Sequence, residues 1–228
     1  MLIPSIDLMG GRIVQLVRGE KLRLAFDDFE YWIGKFARYP MVQLIDLDAA
    51  MRQGDNSALV AQIATRLPCQ VGGGVRSLDR ATQLVEAGAR RVIVGSALFV
   101  ANGNSAAVNL QFAGRLAEAL GPERMVAGVD TKGGKIAVKG WKKNVALTAN
   151  EAIPQLEPFV AGFLYTHVDG EGMMQGFPFA TAENLRGLTG RQLIVAGGIR
   201  NREEVDALDA IGVDAVVGMA IYTEQMAI

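Results

Sequence analysis

The chain repeats itself at half its length, and this limits what it can fold into. Ile6-Asp7-Leu8-Met9-Gly10-Gly11-Arg12-Ile13 returns as Val129-Asp130-Thr131-Lys132-Gly133-Gly134-Lys135-Ile136. Gly72-Gly73-Gly74-Val75-Arg76 returns as Ala196-Gly197-Gly198-Ile199-Arg200. Both copies then run through a helical pattern to a matched glycine, Gly88 or Gly212. A further apolar run leads to Gly95-Ser96-Ala97-Leu98-Phe99 in one copy and to Gly218-Met219-Ala220-Ile221-Tyr222 in the other. Several landmarks in one order at nearly one offset mark a duplicated unit.

Within each half, short β-rich runs alternate with helical patterns. The runs predict strands at Leu2–Leu8, Val42–Leu47, Cys69–Val71, Arg91–Val94, Met125–Val129, Gly162–Thr166, Gln192–Ala196 and Ala215–Val217. The periodicity between them predicts helices near 27–38, 56–66, 77–87, 105–120, 148–157, 180–188 and 201–210. Strands that alternate with helices pair in parallel, and 228 residues over eight units leave about 28 for each. The expected fold is therefore α/β, a (β/α)8 TIM barrel built from two duplicated half-barrels. No Gly/Ser-rich or Pro-rich linker interrupts the series, so residues 1–228 read as a single barrel domain. Half of the residues are hydrophobic, enough for one sizeable core.

Several function classes are disfavoured. A formal net charge of −1 offers no basic field for nucleic acid or for a membrane surface. The apolar runs, such as Val92–Val94, are strand-sized and fall far short of the roughly 20 residues of a membrane span. The start, Met1-Leu2-Ile3-Pro4, enters a strand with no basic signal region, so the expected location is cytoplasmic. A single cysteine, Cys69, leaves no intramolecular disulfide, and its strand context with no histidine nearby speaks against a nucleophile. With one histidine and scattered carboxylates, no metal-ligand spacing is present, and no nucleotide fingerprint occurs. No cofactor is expected, and a monomer is the default.

In barrels of this kind, functional groups sit at the C-terminal ends of the strands and face one mouth. Asp7 ends the first strand and Asp130 the fifth, so duplication sets two carboxylates across that mouth as a candidate acid/base pair. Each is followed by a Gly-Gly turn and an extended run, Arg12–Leu16 or Lys135–Lys139, which predicts a small hairpin in the loop. Gly73, Gly74, Gly197 and Gly198 follow the third and seventh strands; Gly95, Ser96 and Gly218 follow the fourth and eighth. Glycine lets backbone N–H groups approach an anion at a helix start. Two such clusters predict two phosphate sites and a small-molecule substrate with a phosphate at each end. Arg76 and Arg200 open the following helices, either to pair with phosphate or to form ion pairs on their own helices. Trp141 stands at the end of the second hairpin, either to stack on a planar substrate ring or to pack the hairpin. Asp46, Asp48, Thr166, His167, Asp169 and Glu171 are expected at the same mouth. Trp32, in an apolar helical pattern with Phe29 and Phe36, reads as core.

With these residues in view, the chain resembles the phosphoribosylformimino-aminoimidazole-carboxamide ribotide (ProFAR) isomerase family of histidine biosynthesis over essentially its whole length. The pieces that carry the resemblance are Ile3-Pro4-Ser5-Ile6-Asp7-Leu8, Ile45-Asp46-Leu47-Asp48-Ala49, Gln70-Val71-Gly72-Gly73-Gly74-Val75-Arg76, Gly140-Trp141 and Ala196-Gly197-Gly198-Ile199. The sister cyclase family shares the duplicated barrel but usually shows a Cys-Leu-Asp start and a Thr-Ala-Ser ending to the second strand, which this chain lacks. The resemblance implies an Amadori rearrangement of a bisphosphorylated aminoaldose to an aminoketose by general acid/base catalysis. It implies Asp7 as the base, Asp130 as the opposing carboxylate, commonly assigned as proton donor, and Thr166 as an orienting residue. In loop 6 the family usually shows Asp-Gly-Thr where this chain has Glu171-Gly172-Met173, which makes Glu171 a second candidate acid. Gln15 stands where the family frequently has Arg. The alternatives are an isomerase that also accepts phosphoribosyl anthranilate, and a non-catalytic barrel that binds phosphorylated ligands.

Overall fold

Alternation along each strand decides which side chains enter the barrel. In β1 (Leu2–Met9), Ile3, Ser5 and Asp7 point inward, whereas Leu2, Ile6 and Leu8 face the surrounding helices. The same period brings Val126, Gly128 and Asp130 of β5 (Met125–Lys132) to the inside. In β6 (Gly162–His167), Leu164 and Thr166 turn inward. A two-residue period set by one buried isoleucine or valine thus carries each aspartate to the upper end of the interior.

The computed structural model describes residues 1–102 and 105–227. The remaining barrel strands are β2 (Val42–Asp46), β3 (Cys69–Gly72), β4 (Arg91–Val94), β7 (Gln192–Ala196) and β8 (Val213–Val217). Every neighbouring pair is parallel; β8 pairs with β1 and β4 with β5, which closes an eight-stranded ring. The helices are α1 (Phe29–Phe36), α2 (Ser57–Ala64), α3 (Leu78–Glu86), α4 (Leu110–Leu120), α5 (Ala149–Leu156), α6 (Phe179–Arg186), α7 (Arg202–Ala210) and the short α8 (Met219–Tyr222). Local signals set their starts: Ser77 caps α3, Asn201 caps α7, and Thr148 with Glu151 forms a capping box on α5. Most of the apolar core lies between ring and helices. A smaller set, Ile3, Ile93, Val126, Leu164, Ile194, Ala196 and Val216, fills the ring itself. Below it, Arg91 bridges Gln192 and Gln70, and Gln70 donates to Gln43, so the lower end is a connected polar layer.

Three departures from the expected elements concern loops. The expected helix over 105–120 begins only at Leu110; Phe99–Asn102 and Ser105–Val108 pair as antiparallel strands before it. Loop 1 carries two strands, Arg12–Val17 and Lys21–Phe26, where the sequence predicts one extended run. Loop 2 folds into a short helix, Leu47–Met51, which ends β2 one residue early because Asp46 caps it. Trp32 is buried among Tyr222, Phe26 and Phe36, as its helical pattern predicts.

The two halves share one close backbone contact after their third strands. Gly73 has φ +99° and Gly197 φ +100°; a methyl group there would overlap the carbonyl oxygen of Asp46 or of His167. Both features exclude a side chain. Gly197→Ala is expected to cost about 2–3 kcal/mol, from the left-handed backbone plus the displaced carbonyl. Urea unfolding checks this; a cost below about 0.5 kcal/mol would show that the loop shifts freely.

Candidate active site

The strand ends and loops enclose one cavity of about 210 Å³ at the C-terminal mouth. Asp7, Asp130, Thr166 and Glu171 all line it. So do Gly73, Gly74, Arg76, Gly95, Ser96, Trp141, Gly172, Gly197, Gly198 and Gly218. The structure therefore brings these fourteen residues together, whereas Asp46, Asp48, His167, Asp169 and Arg200, also expected at the mouth or as phosphate partners, do not line the cavity. Asp7 and Asp130 stand on strands four places apart in a ring of eight, hence on opposite walls.

Each carboxyl has a distinct setting. Ser5 Oγ donates to Asp7 Oδ1 at 2.9 Å. Burial nevertheless raises Asp7 to about 6, the Ser5 hydrogen bond opposing it. Asp130 is also raised by burial, against hydrogen bonds from Trp141 and Thr166 that favour its ionised form. The Trp141 indole N–H donates to Asp130 Oδ2 at 2.8 Å, and Thr166 is its register partner on β6. Every influence on Glu171 acts in one direction: burial, then the charges of Asp7 and of Asp130, push it up to about 8. The mouth thus holds a carboxyl that ionises below neutrality and another that keeps its proton above it.

Loops hold these groups by contacts between distant segments. Arg18 N donates to the Glu171 carbonyl at 2.9 Å, and Gly172 packs on the Leu16 backbone, so loop 6 is clamped to loop 1. Ser96 Oγ accepts from Lys139 N at 2.9 Å and ties loop 5 to the end of β4. Arg76 donates to the carbonyls of Ala49 and Ala50 and is the only cationic side chain among the described residues lining the cavity. Arg200, its counterpart, turns out to an ion pair with Glu204 at 2.8 Å. The cavity therefore has glycine-rich backbone on both sides but a guanidinium on one.

Other expected residues have structural duties. Asp46 is fully buried and accepts from Asn56 and Ala49. Asp48 accepts from Gly10 N at 2.7 Å, and Asp169 from Gly133 N at 2.8 Å, so these two carboxylates anchor the paired Gly-Gly turns instead of facing the cavity. His167 supplies the carbonyl beneath Gly197. Cys69 is buried, and burial pushes its thiol up to about 12, which leaves it inert. Among the described residues no three His, Cys, Asp or Glu side chains gather as a metal site, and no helix is long and apolar enough to cross a membrane. Sequence reasoning missed Ser5, Gln43, Met174 and Gly19, which also line the cavity. Ser5 was within reach, being two residues before Asp7 on the inward face; Gly19 and Met174 carry no local signal.

Comparison with known proteins closes the identification. Residues 1–227 match the model of a family described as "Histidine biosynthesis protein". The chain belongs to this family. Its relatives include proteins named 1-(5-phosphoribosyl)-5-((5-phosphoribosylamino)methylideneamino) imidazole-4-carboxamide isomerase. The relative from Methanocaldococcus jannaschii is 32% identical, with 97% of this chain and 93% of that protein covered. The one from Deinococcus radiodurans is 34% identical, covering 96% and 92%, and the one from Thermus thermophilus 33%, covering 97% and 94%. In this histidine biosynthesis protein, the alignment spans both half-barrels and hence both walls of the cavity.

The raised carboxyls also bear on stability. Asp7 and Glu171 bind protons more tightly in the folded chain than in the unfolded one, where they titrate near 3.9 and 4.3. Their ionisation therefore opposes folding as pH rises through about 6 and about 8, and has no effect below about 4. Asp7→Asn and Glu171→Gln are each expected to raise Tm at pH 9 by roughly 2–8 °C and to leave it nearly unchanged at pH 4. Thermal melts at the two pH values check this; an equal rise at both would exclude charge burial as the cause.

Proposed function

We propose that this chain is a cytoplasmic aldose-ketose isomerase of histidine biosynthesis that converts bisphosphorylated ProFAR to its aminoketose without a cofactor. The family match and the relatives' names support the isomerase reading. One observation carries the mechanism: two carboxyls lining one cavity titrate on either side of neutrality, Asp7 at about 6 and Glu171 at about 8. An Amadori rearrangement requires that pairing, since one group must begin ionised and another protonated.

Glu171 gives its proton to the furanose ring oxygen, the C1–O bond breaks, and the nitrogen lone pair forms the Schiff base. Asp7 removes the proton from C2, and those electrons neutralise the iminium to an enolamine. Proton return to C1 and loss of the O2 proton then leave the ketone, with no net change in composition. Asp130, held by Trp141 and Thr166, orients the substrate from the opposite wall. The two phosphates lie on Gly73, Gly74, Gly95, Ser96 and Arg76 at one end, and on Gly197, Gly198 and Gly218 at the other. Gly172 keeps the Glu171 loop against loop 1.

Turnover of ProFAR by the purified protein tests the reading. Its kcat/KM is expected to follow a bell, with limbs near pH 6 from Asp7 ionisation and near pH 8 from Glu171 deprotonation. Asp7→Asn and Glu171→Gln are each expected to lower kcat by about 10²–10⁴-fold. Undiminished turnover by Asp7→Asn would rule out the base assignment. Loss of the Asp130 carboxyl together with an intact Glu171→Gln variant would move the acid role to Asp130.

A further inference from the structure

Loop 1 lines the cavity with Gln15 and with Gly19, a residue that has no side chain. Gly19 sits in the turn between Arg12–Val17 and Lys21–Phe26, with φ +69°. A methyl group on it would overlap Cε3 and Cζ3 of the Trp141 ring. The indole therefore lies against the bare backbone of loop 1. From that seat its Nε1 donates to Asp130 Oδ2 at 2.8 Å. Loop 5 makes an unusual effort to put the ring there. Lys139, Gly140 and Trp141 have φ of +59°, +64° and +64°, a left-handed run that non-glycine residues adopt only at a cost. The same turn receives loop 6 on its other side, through Arg18 N and the Glu171 carbonyl.

We propose that Gly19 is a positioning residue for the isomerisation, acting through Trp141: the absence of a side chain at position 19 sets the indole over the cavity and its N–H on Asp130. The inference rests on the isomerase reading for its kinetic consequence, but the placement of the ring stands apart from it. Any side chain at position 19 pushes the indole outward. Asp130 then loses the donor that steadies its ionised form, and the mouth opens to water beside Glu171.

The test compares Gly19→Ala and Gly19→Asn, each alone and in a Trp141→Ala background. Asn adopts left-handed backbone more readily than Ala, so it retains the bulk with less strain. Both single variants are expected to lower kcat/KM for ProFAR at least tenfold, and to shift tryptophan emission to the red. The only other tryptophan, Trp32, is buried in the aromatic core, so the emission change reports Trp141. In the Trp141→Ala background the same changes at position 19 are expected to alter kcat/KM by less than twofold. Equal losses in both backgrounds, unchanged emission, or full activity of Gly19→Asn would overturn the proposal. A wild-type protein with no ProFAR turnover would instead defeat the isomerase reading, while the emission shift would still report on the seat.

Discussion

Two backbone seams hold the molecule in one piece: β4 pairs with β5 through Val92–Val94 and Met125–Ala127, and β8 with β1 through Leu2–Pro4 and Ala215–Val217. Either half alone would leave open strand edges with unpaired N–H and C=O groups. It would also split the site, because Asp7 and the first glycine cluster belong to one half and Asp130, Thr166 and Glu171 to the other. Closure brings both sets to one rim, and the alternation of inward side chains then aims Asp7 and Asp130 into the same space. The cavity is thus a consequence of the ring, not of any one loop.

What the ring makes possible, the loops make chemical. Three carboxyls share a small cavity with a single guanidinium, an arrangement that opposes the folded state as pH rises. It persists because backbone contacts over-determine the loop positions: loop 6 on loop 1, loop 5 on β4, and the indole on Gly19. The same crowding separates the carboxyls in acidity. Asp7 has a hydroxyl donor, Asp130 an indole and a hydroxyl, and Glu171 feels two neighbouring negative charges. Chemically similar side chains are thereby suited to different roles, and the question of which group carries the proton becomes one of surroundings.

The half-length repeat, the strand pattern and the glycine clusters were legible in the amino-acid order, since each depends on residues close together in the chain. Duplication placed Asp7 opposite Asp130, a two-residue period turned both inward, and glycines with matched φ recur at Gly73 and Gly197. Duplication did not decide the arginines: Arg76 lines the cavity, whereas Arg200 takes the other role open to it, an ion pair with Glu204 on its own helix. Asp48 and Asp169, read as groups of the mouth, turned out to anchor the Gly-Gly turns. The two aspartates find their partners 36 and 38 positions away, which no local pattern encodes.

The sequence by itself determined the barrel, its two-fold origin, the rim positions of the aspartates and the family to which the chain belongs. Only the tertiary structure decided that Glu171 sits within the fields of Asp7 and Asp130, that Trp141 is bonded to Asp130, and that Gly19 is the surface beneath it. The physical reason is range. Strand period, caps and turns are set within a few residues, whereas acidity and side-chain placement depend on burial and charge contributed by segments that meet only when the ring has closed.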